Sequence, residues 1–125
     1  MDEIRAYQDL RAWQTGRAMV KAIYEATVAF PREERFGLTA QVRRAAVSIP
    51  SNVAEGYGRG TRKDYVHFLQ TARGSLYEME TQVILADDLG FFMTADTPRM
   101  LLVQSGECSR ILNGLIRSLE ADRNA

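Results

Sequence analysis

The sequence predicts an all-α protein, an antiparallel up-down four-helix bundle whose second helix is kinked at Pro50. Three observations carry this. Apolar residues recur at steps of three and four almost throughout the 125 residues, and the connections between periodic segments are short. Three prolines and nine glycines also leave room for long helices. Short connections force sequence neighbours to run in opposite directions. With no internal repeat and no low-complexity tract, residues 1–125 read as one domain.

The first segment sets Ala6, Leu10, Trp13, Val20, Tyr24 and Thr27 on one face and ends near Phe30-Pro31. Gly16 inside it costs about 1 kcal/mol against alanine unless another backbone packs closely there. The second segment aligns Leu38, Val42, Ala45, Ile49, Val53 and Gly56. Pro50 removes the hydrogen bond to the carbonyl of Ala46, yet the apolar spacing stays in phase across it. One kinked helix explains that phase better than two separate ones. Gly56-Tyr-Gly-Arg-Gly60 then makes the turn.

Thr61-Arg-Lys-Asp64 has the spacing of a capping box, with Asp in place of Glu or Gln. Tyr65, Leu69, Ala72, Leu76, Met79, Val83 and Ala86 follow in alternating steps of four and three, and Gly90 suits the C-terminal end. The loop from Phe91 to Asp96 shows no strand pattern. Thr97-Pro98 supplies an N-cap with proline at the first helical position, after which Leu101, Ser105, Cys108, Leu112, Leu115 and Leu119 form the fourth stripe.

Composition bounds the chemistry. Sixteen basic and sixteen acidic residues give zero net charge, with 46% apolar and 26% charged types, as in a globular domain. No apolar run approaches the ~20 residues of a membrane span, and the charged N-terminus lacks a signal-peptide stretch. A lone cysteine, Cys108, suits a reducing cytoplasm. The basic residues are nevertheless concentrated. Residues 35–73 hold seven against two acidic ones, net +5, and the remainder holds nine against fourteen, net −5. Fourteen of the sixteen are arginine, the better former of forked contacts with carboxylate or phosphate. The basic middle fits a nucleic-acid surface or an arginine–carboxylate contact between subunits.

Enzyme signatures fail individually. Asp64-x-x-His67 has di-iron bundle spacing, but such a site needs two of these pairs and two more glutamates, and the chain has one histidine. One Cys and one His cannot supply a zinc site, so no metal or other cofactor is expected. Cys108 falls on an apolar stripe, where a thiol is buried and inert. Gly56 to Thr61 lacks the preceding strand and the lysine of a phosphate-binding loop.

Two polar stripes stand out. Arg44, Ser48, Ser51 or Asn52, Glu55 and Arg59 follow at helical spacing, and Glu55 can pair with Arg59 four residues on. Ser51 and Asn52 can bond to the local backbone near Pro50. Thr71, Ser75, Glu78 and Gln82 form the second stripe, where Gly74 permits close approach. Solvated faces would explain both; the small residues fit a buried polar contact between helices or subunits.

Phe30-Pro-Arg-Glu-Glu-Arg-Phe-Gly-Leu-Thr39, then Gln41-Val-Arg-Arg-Ala-Ala-Val-Ser-Ile-Pro-Ser-Asn-Val-Ala-Glu-Gly-Tyr-Gly-Arg-Gly60, closely resembles the signature of the ribosomal-RNA (23S rRNA) intervening-sequence protein family. Phe68-Leu-Gln-Thr-Ala-Arg-Gly-Ser-Leu-Tyr-Glu-Met-Glu-Thr-Gln82 and Leu112-Asn-Gly-Leu115 fit it too. The resemblance implies a bacterial four-helix bundle that assembles as a ring of five subunits, with no catalytic activity. Some members are encoded inside insertions in large-subunit ribosomal RNA genes. The family is also similar to pentameric, nucleic-acid-binding accessory proteins of diversity-generating retroelements.

The reading from sequence is thus a non-enzymatic, homo-oligomeric assembly scaffold without cofactor, membrane or small-molecule partner. Its expected subunit contact is Arg44, Ser48, Ser51, Asn52 and Glu55. The alternative is a ring binding RNA or DNA through Arg59, Arg62 and Lys63, where three cations adjoin a helix N-terminus.

Overall fold

A computed structural model describes residues 3–122, which form four α-helices and no strand. The expected 1–125 domain therefore runs past the described residues at both ends. The helices are α1 (Arg11–Thr27), α2 (Leu38–Tyr57), α3 (Arg62–Asp88) and α4 (Asp96–Asp122). Each touches its sequence neighbours, and α4 returns to α1; α1 and α3 have no backbone contact, nor do α2 and α4. Phe30, from the α1–α2 connection, meets Phe91 and Phe92 of the α3–α4 connection, with ring centroids 5.6 and 5.2 Å away. The Phe91 ring is tilted and the Phe92 ring edge-on to Phe30, and such aromatic contacts contribute beyond area burial.

Local signals place the helix ends. The Asp9 carboxylate accepts from the backbone N–H groups of Arg5 (2.9 Å) and Ala6 (3.1 Å), holding a 3-10 turn before α1. α1 accordingly starts at Arg11, later than its apolar spacing suggested. Thr61 Oγ1 accepts from the N–H of Asp64 at 3.2 Å, as an N-cap should. Gly90 takes the left-handed conformation with φ 75° just past α3. α4 begins at Asp96, so Pro98 is already inside its first turn and buried.

The core confirms two apolar stripes and shifts two. α2 buries Val42, Ala45, Ala46, Ile49, Val53 and Gly56, and α3 buries Leu69, Ala72, Leu76, Met79, Val83 and Ala86, nearly as the spacing required. On α1 the buried residues are Ala12, Gly16, Met19, Ile23 and Thr27, whereas Tyr24 is exposed and Trp13 and Val20 are half-buried. Leu10 and Thr27 are buried as expected, but between them the buried face runs one residue ahead of Trp13, Val20 and Tyr24. On α4 the stripe holds through Leu112 and then continues at Ile116 instead of Leu115 and Leu119. A 3.6-residue helix drifts from a strict heptad, which accounts for that slip.

Small residues explain why α1 rotates. A Cβ on Gly16 would lie 3.2 Å from Ile49 Cγ2 and 3.3 Å from Pro50 Cδ, so α1 presses directly on the proline of α2. Gly56 makes the corresponding contact with α3, where a Cβ would come within 2.9 Å of Phe68 Cβ and 3.1 Å of the Tyr65 carbonyl. Gly74 permits no such approach: nothing lies within 4 Å of its Cβ position.

Arginines from the basic middle serve as ties. Arg43 Nε donates to Thr27 Oγ1 at 2.8 Å and its guanidinium covers the Tyr24 ring at 4.5 Å, securing the last turn of α1. A cation there also complements the helix dipole. Arg73 donates to Asn113 Oδ1 at 2.9 Å, joining α3 to α4, and Glu80 accepts from buried Ser105 farther along the same seam.

Two predictions follow from this packing. Gly56→Ala lowers stability by about 1–2 kcal/mol, since the overpacking cost exceeds the ~1 kcal/mol of helix propensity gained, while Gly74→Ala raises it by up to ~1 kcal/mol. Urea unfolding of both variants measures the opposite signs. Burial pushes the Cys108 thiol above its ordinary range; a hydrogen bond from Thr15 opposes this and Glu80 and Glu107 add to it. The folded state thus favours the protonated thiol, a contribution fully present below about pH 8.5 and lost as pH rises. A disulfide exchange reagent at pH 8 should modify Cys108 at the rate of unfolding and react at once in denaturant.

Candidate subunit and nucleic-acid surfaces

The two polar stripes meet along one seam between α2 and α3. Ser48 Oγ lies 2.8 Å from Ser75 Oγ, and Asn52 Nδ2 donates to both the carbonyl and the Oγ of Ser48, each at 2.8 Å. Each bond contributes about 1 kcal/mol net; the Ser48–Ser75 bond joins the two helices, and the two Asn52 bonds, inside α2, hold Ser48 in place for it. Ser51 Oγ donates to the Val47 carbonyl at 2.8 Å. Thus Ser51 and Asn52 give the carbonyls just before Pro50 additional donors, as their residue types allowed.

Of the five residues expected at a subunit contact, Ser48 and Asn52 are spent within the chain. Arg44, Ser51 and Glu55 remain exposed on α2. Glu55 and Arg59 form no ion pair; the Arg59 guanidinium instead lies 5.2 Å over the Phe68 ring. A cation over an aromatic face gains ~0.5–1 kcal/mol at exposed sites and leaves the charge free to solvent. At the far end of the seam Gln82 is 7% exposed, and its Oε1 has no hydrogen-bond partner. An unsatisfied buried amide costs about 1–3 kcal/mol.

The expected nucleic-acid residues divide. Arg62 and Lys63 line a cleft of about 560 Å³ with Val66, His67 and Gln70 of α3 and Glu120 of α4. Arg59 is not among them, because Phe68 holds it on the α2 side. Nor does the glycine loop offer all its N–H groups: those of Gly58 and Arg59 already bond to carbonyls at the end of α2. His67 is exposed and stands edge-on to Phe68, its ring centroid 5.3 Å away.

A third surface escaped the sequence reading. The outward rotation of the Trp13 side of α1 opens a groove of about 520 Å³ against α2. Trp13, Val20, Val47 and Pro50 form its apolar walls, with Arg17 and Lys21 on its rim. Helical spacing alone turns Trp13, Val20 and Tyr24 toward the core and so hides this surface. The useful signal was the parallel stripe of Ala12, Gly16 and Met19.

Among the described residues no three His, Cys, Asp or Glu side chains gather as a metal site. No described helix is long and apolar enough to cross a membrane. Burial, and secondarily the neighbouring Tyr57, pushes the Tyr65 hydroxyl up to about 12.

A model of the 23S rRNA-intervening sequence protein family matches residues 8–114. A comparison with curated proteins finds no match. Among solved structures, a Bacteroides thetaiotaomicron protein of unknown function from the S23 ribosomal protein family is similar, with a TM-score of 0.77. The two chains are 20% identical, over 85% of this chain and 95% of that one. That structural likeness establishes a common fold, and the match over most of the sequence establishes more: the chain belongs to the 23S rRNA-intervening sequence protein family.

Proposed function

We propose that this protein is a non-enzymatic assembly scaffold: a single bundle domain that works in the cytoplasm as a homo-oligomer, with five subunits as the family resemblance implies. The observation that carries the reading is the half-exposed apolar groove between α1 and α2. Trp13, Val20, Val47 and Pro50 line it, next to the exposed Arg44, Ser51 and Glu55. Contiguous apolar surface rimmed by polar groups is the usual mark of a protein contact. A scaffold role agrees with a buried, protonated Cys108.

In the proposed architecture the helices run antiparallel, up and down, and α2 bends at Pro50. Cross-helix pairs support this, since their numbering falls on one helix as it rises on the next. Thr27 meets Arg43 while Gly16 meets Pro50; Ser48 meets Ser75 while Gly56 meets Phe68; Arg73 meets Asn113 while Glu80 meets Ser105. Proline inside an unbroken helix supports the bend.

Sedimentation or light scattering at tens of micromolar should give a mass several times 14.1 kDa, and a 14.1 kDa species alone refutes the scaffold reading. Arg44→Ala or Glu55→Ala should weaken assembly by about 2–5 kcal/mol, as for a charge whose partner is left buried, while Glu107→Ala on exposed α4 should not.

A second reading rests on Arg62 and Lys63, which line the cleft at the start of α3. Repeated around an oligomer, these cations would bind RNA or DNA phosphates multivalently, without sequence preference and with steep salt dependence. Arg62→Glu with Lys63→Glu should then abolish retardation of either nucleic acid at ~50 mM salt without changing the oligomer mass. Equal retardation of variant and parent rejects this surface.

A further inference from the structure

We propose that subunits join head to tail, the α1–α2 groove of one copy receiving the exposed face of α3 from the next. The inference rests on the assembly reading above and names the two surfaces that meet.

The groove is cationic and apolar. Arg17 and Lys21 are its only charged lining residues, set beside Trp13, Val20, Val47 and Pro50. Lys21 makes only a marginal 4.0 Å contact with exposed Glu25, and Arg17 lies 5.5 Å over the Trp13 ring with its charge open to solvent, so neither rim cation is neutralised.

The opposite chemistry lies on α3. From Gly74 to Asp88 the helix has no basic residue and four acidic ones, Glu78, Glu80, Asp87 and Asp88. Glu80 is engaged by Ser105, and the other three are exposed. Among them Tyr77, Ile84 and Leu85 are 46%, 48% and 47% exposed, high values for large apolar side chains in mid-helix. Steps of four, three and four put Tyr77, Thr81, Ile84 and Asp88 on one face. The surface is therefore apolar with an acidic border, the charge complement of the groove.

Charge also decides the symmetry. Groove against groove would oppose Arg17 and Lys21 to their own copies, and α3 against α3 would oppose carboxylates. Like charges brought together at an interface disfavour either two-fold arrangement. Only the mixed pairing joins opposite signs. Because α1 and α3 meet only through core side chains, with no backbone contact, the outer face of α3 lies away from the α1–α2 groove, and each subunit can use both at once. Such a heterologous contact repeats until it closes into a ring or extends as a filament.

Charge exchange tests the pairing with substitutions at exposed positions. Arg17→Glu with Lys21→Glu, and separately Glu78→Lys with Asp88→Lys, should each weaken association roughly 100-fold, giving monomers by sedimentation with unchanged helical circular dichroism. All four substitutions in one chain restore opposite charges at every joint, so the parent mass should return. Should the parent assemble but neither reversal alter its mass, the pairing is wrong and the scaffold reading survives. The pairing is equally overturned by a folded fourfold variant that stays monomeric. A monomeric parent removes both.

Discussion

The close approach of α2 to both neighbours constrains everything else in this bundle. Gly16 admits Ile49 and Pro50 on one side, and Gly56 admits the Tyr65–Phe68 turn on the other. At neither contact is there room for a methyl group without movement of the neighbouring helix. Once Gly16 and Ala12 face inward, α1 has no rotational freedom left. Met19 and Ile23 follow them into the core, and Trp13, Val20 and Tyr24 are carried to the flank. The groove is thus a direct consequence of a tight helix crossing.

The same crossing explains how the arginine-rich middle is used. Arg43 reaches back to Thr27 and Tyr24 because α1 and α2 run close together there, and Arg73 spans to Asn113. Arg59 and Arg35 lie over Phe68 and Phe36. The local excess of positive charge is therefore partly structural: Arg43 and Arg73 are half-buried ties, while Arg35, Arg44, Arg59, Arg62 and Lys63 are exposed. Arginine suits both tasks, since its planar head can fork between acceptors or stack on a ring.

Polar burial is economical along the α2–α3 seam. Ser48, Asn52 and Ser75 satisfy one another at 2.8 Å, so two helices of small side chains can meet without stranding polar groups. Gln82 departs from this pattern, buried with an unpaired carbonyl oxygen.

By itself the sequence determined the helical class, the family, the capped start of α3 at Thr61 and the apolar stripes of α2 and α3. Each of those depends on residues close together in the chain, where helical spacing and capping chemistry act locally. The phase of α1 was another matter, because two stripes one residue apart competed, one large and aromatic, the other small. Only the tertiary structure decided for Ala12 and Gly16, because the choice depends on Pro50, more than thirty positions away in the chain. It likewise spent Ser48 and Asn52 inside the monomer, separated Arg59 from Arg62 and Lys63, and exposed Tyr77, Ile84 and Leu85 on a core helix. Helical periodicity specifies which residues share a face; which face is turned inward depends on how closely the neighbouring helix can come.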